Sequence, residues 1–319
     1  MQGRNRLHTS YATVVDLGKT PIFIIGCLIV LDVLIIKMFW RDVNADLVNS
    51  YIPWFQFLFE RGRFSALAVG FYDYTPPYLY LLSIATLAHG VIDPATVIRT
   101  ISVTFNAVAG VLVYLLAVAM GWSRPKAIQI ALIFFILPEI LVNSLVWGQC
   151  DIIYTLFLLA FIYFLLKERG WWATAMLGIA FAFKLQTVFV GPFVLYVLLV
   201  RLLLWRQLVM LPLMYLLFMA PAAVAGRSWG ELLTIYVGQA THNRLLSLGA
   251  PNLYFVIQKI FPNSYEIGVY MGLVITVIVS LVLVTLFVRL GRARSPYGLL
   301  LMATLTLTIV PYILPKMHE

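Results

Sequence analysis

The chain has 319 residues, 62% of them hydrophobic and 11% charged, with a mean hydropathy of +0.96. A soluble domain of this length cannot hide so much apolar surface, and apolar runs that are continuous rather than alternating argue against a β-barrel. The net charge of +9 does not call for nucleic acid, because the basic residues sit in short loops between apolar runs, where membrane orientation accounts for them.

The expected fold class is therefore all-α, a polytopic helical membrane protein. The N-terminal stretch MQGRNRLHTSYATVVDLGKT is too long and polar for a cleaved signal, so the run 21–40 reads as a retained anchor. A long loop, 41–96, follows, with Asp42, Asp46, Glu60 and Asp73. Within it, ADLVNSYIPWFQFLFERGRF sets Tyr51, Trp54, Phe55, Leu58 and Phe59 at helical spacing. This predicts an amphipathic helix lying along the membrane surface, with the aromatics as interfacial anchors. Asp46 stands just ahead of that helix, where it either caps it or faces a substrate as a general base. In GFYDYTPPYLY the Pro-Pro pair restricts the backbone before it to extended conformations; Asp73 there either hydrogen-bonds locally or touches a sugar hydroxyl. The run 76–92 is marginal in length and is expected to lie on or dip into the interface rather than cross.

Eight further runs, 97–121, 127–146, 151–167, 171–184, 188–204, 207–225, 266–290 and 297–315, bring the expected spans to nine. With this parity, one side receives Arg4, Arg6 and Lys19, Arg124 and Lys126, Lys167 and Arg169, Arg201 and Arg206, and Arg289, Arg292 and Arg294. That is the cytoplasmic side by the positive-inside rule, which places the N-terminus inside. The outer side collects the loop 41–96, the corner Trp147-Gly148-Gln149-Cys150-Asp151, the corner with Lys184 and Gln186, a second large loop 227–265, and the tail PKMHE. The loop 227–265 carries Tyr236, Gln239, His242, Arg244 and Asn252. Polar chemistry gathered on one face suggests an outer cleft.

Several residues carry two readings. Lys184 either snorkels to the headgroups or binds a lipid-linked phosphate, in which case His242, Arg244, Lys316 and His318 are candidates to complete the site. The 147–151 corner is either an ordinary polar turn with one interfacial Trp, or a corner whose Gln149 and Asp151 point into the cleft. Asp32 and Glu139 lie within spans and are functional candidates for that reason, although Glu139, after Pro138, can also pair structurally. Cys27 and Cys150 are far apart and form no metal-type spacing. The sequence contains no P-loop, GxGxxG, HExxH or G-x-S-x-G pattern.

Taken in order, D-L-V-N-S-Y-I-P-W-F from Asp46, Y-T-P-P-Y-L-Y-L-L from Tyr74, W-G-Q-C-D from Trp147, F-K-L-Q from Phe183, A-P-N-L-Y from Ala250 and the terminal L-P-K-M-H-E cover nearly the whole chain. In this the chain resembles the GT-C superfamily of polytopic glycosyltransferases, and more narrowly bacterial mannosyltransferase-like integral membrane proteins. The resemblance implies one transmembrane domain over 1–319. It implies transfer of a hexose such as mannose from a polyprenyl-phosphate-linked donor to a glycan, lipid or protein acceptor outside the membrane. Asp46 would be the general base, with Asp42 the second choice. Asp151 would position donor or acceptor, and Lys184, Arg244 and His318 would meet the donor phosphate. Trp147, Gln149, Gln186, Asp73, Gln239 and Asn252 complete the expected substrate-binding set. No nucleotide is needed; a divalent cation is used by some members, and no ligand cluster settles its use here. Two departures stand out. Glu60-Arg61-Gly62-Arg63 replaces a Gly-Gly after the surface helix, and similar proteins continue past M-H-E into further spans. A transporter or flippase of lipid-linked sugars, or an inactive truncated paralogue, are the alternative readings.

Overall fold

The computed structural model describes residues 44–72, 74–242, 244–289 and 295–318, together with eight separate positions between 26 and 38. Asp32, Asp42, Asp73 and most of the expected first span lie outside the described residues, as do the side chains of His242 and His318.

A π-helical turn, Leu47–Tyr51, runs directly into α1 (Ile52–Glu60), with Pro53 in the first turn where its missing N–H is no loss. The periodic aromatic face of this helix does not meet lipid, contrary to the expectation from spacing. Tyr51, Trp54, Phe55 and Leu58 are buried, in one cluster with Tyr78, Leu79 and Leu82 of α2 (Pro76–Ala85). Only Phe59 at the far end stays exposed. The period of 3.6 reports a one-sided helix; it does not say whether protein or lipid covers the apolar side. The segment Pro76–Ala88 is apolar and short.

The spanning body starts with α3 (Pro94–Ala119), capped by the Asp93 carboxylate accepting from Thr96 N–H at 3.0 Å. Next come α4 (Arg124–Phe135) and α5 (Pro138–Leu141), which continues as a π-helical turn, Val142–Val146. The run expected as one span, 127–146, is thus broken, bending by 52° where Pro138 has no N–H to give the preceding turn. Then follow α6 (Asp151–Leu166), α7 (Gly170–Phe183), α8 (Gly191–Leu199), α9 (Met210–Ala225), α10 (Trp229–His242), α11 (Leu253–Ile260), α12 (Tyr265–Arg289) and α13 (Pro296–Ile313). Among the described residues four helices are long and apolar enough to cross a membrane, or five if the bent pair is one span. This is fewer than the nine spans expected. Runs of apolar sequence at 151–167, 171–184 and 188–204 fold as helices of 16 residues, 14 residues and the segment Leu185–Leu199. At 1.5 Å per residue these reach roughly 21–24 Å, less than a bilayer core of about 30 Å.

α6 packs on α3 and α7, and α7 on α9. The last contact is close: a Cβ on Gly178 would lie 2.9 Å from Leu211 Cα. The interior divides into two clusters. One, with Leu47, Phe55, Tyr78, Ile98 and Ile153, lies under the first loop. The other, with Phe161, Phe193, Tyr196 and Met302, lies toward the other end of α6. Outward residues of α12 such as Ile267, Leu273, Val277 and Leu281 are exposed and apolar, a surface suited to lipid. The chain is an all-α multi-pass membrane protein.

Helix direction explains why polar corners gather. α6 leaves Asp151 and ends before Lys167; α7 starts after Arg169 and returns to Lys184. A two-residue parallel pairing of β1 (Ser247–Leu248) with β2 (Met317–His318) ties the second large loop to the tail, and Lys316 N–H donates to Leu246 O at 2.6 Å.

Candidate active site

Three segments far apart in sequence meet in one polar cluster. Asp46 is the residue ahead of the π-helical turn, and its side chain makes no capping hydrogen bond. Its carboxylate instead accepts from Gln149 Nε2 at 2.8 Å. Gln149 is itself 6% exposed. Its Oε1 accepts from Asn143 Nδ2 at 3.3 Å, and the same Asn143 amide donates to Asp151 Oδ2, also at 3.3 Å. The other oxygen of Asp151 is paired with Lys184 Nζ. The path Asp46–Gln149–Asn143–Asp151–Lys184 is continuous.

Each member is set by its local fold. Gly148 adopts φ +69, which L side chains rarely tolerate. A Cβ there would lie 3.0 Å from Leu47 Cδ2, the neighbour of Asp46. The turn that follows is pinned to α3: Ser102 Oγ donates to Gln149 O at 2.7 Å and Arg99 Nη2 to Val146 O at 3.2 Å. Ser144 Oγ donates to Asn106 Oδ1 at 3.1 Å. Arg99, Ser102 and Asn106 therefore form one stripe of α3 that holds the 142–149 stretch. Lys184 follows α7 in an extended conformation, φ −152 and ψ 136. Near it, Thr75 Oγ1 donates to Phe183 O at 3.1 Å, fixing the Pro-Pro loop against this corner.

Aromatic rings surround the ammonium. Lys184 Nζ lies 5.7 Å from the Tyr74 ring centroid and 5.8 Å from that of Tyr154, within cation–π range. Tyr74 OH is 3.1 Å from Tyr51 OH. Burial pushes the Tyr74 phenol up to about 12, against the opposing pull of Lys184, so Tyr74 acts as a neutral hydrogen-bonding group. Burial likewise pushes the Cys150 thiol up to about 12, which removes it as a nucleophile near neutral pH.

A cavity of about 350 Å³ opens beside the ion pair. Asp151, Lys184 and Gln186 line its polar part; Leu158, Ile162 and Leu307 are among its apolar walls. Tyr154, Leu158 and Ile162 repeat at helical spacing along α6, so the wall descends from the polar corner along the helix.

Of the residues expected in the site, Asp46, Gln149, Asp151 and Lys184 are brought together, and Gln186 joins them at the cavity. Trp147 ends the π-helical turn, partly exposed. Arg244 and Asn252 make their polar contacts elsewhere. Arg244 Nη2 donates to Glu266 Oε1 at 2.9 Å, with both side chains exposed. Asn252 caps α11 by accepting from Phe255 N–H at 3.1 Å and donates to Leu314 O at 3.1 Å. Gln239 lies on α10, half-buried. Glu139 is exposed at the start of α5. His318 is in β2, while Asp42 and Asp73 fall outside the described residues. Sequence reasoning missed Asn143, Ser102 and Arg99; an Asn inside the apolar run ILVNSLVW was the available signal for the first. Among the described residues no group of three or more His, Cys, Asp or Glu could hold a metal ion.

Residues 71–315 match the model of glycosyltransferase family 87. The matched region contains Asn143, Gln149, Asp151 and Lys184, and begins after Asp46. No curated protein matches the chain.

Proposed function

The chain belongs to glycosyltransferase family 87, and we propose that it transfers a hexose, with mannose the first candidate, from a polyprenyl-phosphate-linked donor to an acceptor on the outer face of the membrane. In this reading the N-terminus is cytoplasmic and Asp46 is the general base. It takes the proton of the acceptor hydroxyl as that oxygen bonds to the anomeric carbon. The bond from that carbon to the phosphate oxygen breaks, and polyprenyl phosphate leaves with the electron pair. Lys184 offers the phosphate its ammonium, competing with Asp151 for it. Gln186 meets the donor at the mouth of the cavity, and the apolar wall along α6 takes the start of the lipid chain. The lipid-linked donor carries its own leaving phosphate, so no nucleotide takes part.

One observation carries this reading. The Asp46 carboxylate, free of any capping duty, is joined through Gln149 and Asn143 to the Asp151–Lys184 pair, which lines a cavity that is polar at one part and apolar along its wall. A base and a phosphate-binding cation in one cluster beside such a cavity suit a substrate that is a sugar phosphate on a lipid.

The test uses purified protein in lipid with a panel of radiolabelled polyprenyl-phosphate hexoses and lipid or glycan acceptors. Label transfer and polyprenyl phosphate release are expected from the wild type, with turnover reduced between about 10²-fold and 10⁴-fold in Asp46→Asn. Wild-type protein that binds the donors but cleaves none of them would contradict the reading.

A further inference from the structure

We infer that Gln149 is a positioning residue for Asp46 rather than a substrate ligand, and that Asn143 holds Gln149 in that role. The inference rests on the function proposed above. Asp46 is exposed, and an exposed carboxylate ordinarily samples several rotamers. Gln149 is buried, and each of its polar groups is engaged: its N–H donates to Asn143 O at 3.0 Å, its C=O accepts from Ser102, its Oε1 accepts from Asn143 and its Nε2 donates to Asp46. A carboxylate only accepts, so the amide nitrogen must face Asp46, and the amide oxygen then faces Asn143. The main chain of Gln149 is fixed by Gly148 and α3, which leaves the side chain one outlet, the carboxylate. The same Asn143 amide touches Asp151, so the base and the phosphate-binding pair are held in register by a single residue.

The geometry also gives the hydrogen bond a chemical part. It holds one oxygen of Asp46 and leaves the other for the acceptor hydroxyl. A carboxylate so held meets the hydroxyl in one orientation, and misplacement of a reacting group by about 1 Å can cost about 10²-fold in rate.

The experiment compares Gln149→Met, Gln149→Glu and Asn143→Leu with the wild type, following transfer and donor binding across pH 5.5–8.5. Gln149→Met keeps the length and removes the donor. It is expected to lower kcat by about 10-fold to 100-fold while donor KM and donor affinity stay near wild type, which also certifies the fold. Gln149→Glu is expected to be equally impaired at pH 8, and to recover relative to wild type as pH falls, because the introduced carboxyl, once protonated, can donate to Asp46 again. A purely structural role would leave that ratio flat with pH. Asn143→Leu should lower kcat in the same direction by a smaller factor. Wild-type kcat in Gln149→Met, or a rise in donor or acceptor KM at unchanged kcat, overturns the positioning role and leaves the transferase reading intact. A wild type that turns over none of the donors sinks both.

Discussion

Gln149 Nε2 donates to Asp46 Oδ2 at 2.8 Å, across 103 residues of sequence. The bond joins the start of the first loop to the corner before α6, and it decides what Asp46 is for. A capping aspartate would turn its carboxylate toward the N–H groups of the next turn. This one turns to a side-chain amide at the edge of a cavity-lining ion pair. Local structure at 46–51 and packing at 148–149 meet here, since Gly148 leaves room for Leu47, the neighbour of Asp46, to close in.

The Lys184–Asp151 pair is half-buried, with side chains 11% and 26% exposed. Removing one partner strands the other charge away from water. Lys184→Met is expected to lose about 3 kcal/mol of stability together with donor binding. Asp151→Asn should lose less, because the amide remains a hydrogen-bonding group. Unfolding in detergent and a donor-binding titration check both, and equal stability of Lys184→Met and wild type would contradict the pairing.

Gly148→Ala places a Cβ on a backbone at φ +69 and 3.0 Å from Leu47 Cδ2. The left-handed conformation alone costs roughly 1–2 kcal/mol for an L residue. The variant is expected to melt lower and to lose turnover beyond what the melting shift explains, since Leu47 adjoins Asp46. Thermal unfolding and kcat measured on the same preparation separate the two effects.

Burial disfavours the Tyr74 phenolate and pushes the phenol up to about 12 in the fold, against about 10 in an unfolded chain. The folded state holds that proton more tightly. The stability it contributes is full below pH 10 and is lost as pH rises toward 12. Tyr74→Phe is expected to flatten the alkaline fall in stability between pH 10 and 12, and to leave transfer activity between pH 6 and 8 with no altered limb. Melting temperature followed against pH gives the first result and a pH–rate profile the second.

Arg244 is held by Glu266 on an exposed surface, not by the cluster around Lys184. Exposed pairs contribute about 1 kcal/mol or less. Arg244→Gln is expected to keep donor affinity and turnover within about twofold of wild type. A tenfold loss of donor affinity would restore Arg244 to the phosphate site.

The sequence made the grouping of corners legible through charge. Basic short loops alternate with polar corners, and that alternation is enough to bring Asp46, Gln149, Asp151 and Lys184 to one end of the bundle. The registers inside the bundle were not legible. Asn143 sits in a run that hydropathy treats as span, and only the break at Pro138 and the π-helical turn aim it at Gln149. Arg99 hides at the start of a helix whose composition is dominated by Val, Leu and Ala. The aromatic stripe of α1 carried the right period but not its cover, because Tyr78, Leu79 and Leu82 compete with lipid for the same face. The span count was not legible for a related reason. Apolar runs of 14–16 residues reward burial among other helices as much as insertion, and composition cannot separate the two.

The most direct measurement separates binding from chemistry at the one cluster. Equilibrium binding of a polyprenyl phosphate and turnover of the labelled donor would be measured in parallel for wild type, Asp46→Asn and Lys184→Met. Asp46→Asn is expected to bind like wild type and to lose turnover, while Lys184→Met loses binding. Turnover that persists in Asp46→Asn, or binding that falls equally in both variants, would contradict the assignment of base and phosphate anchor to these two residues.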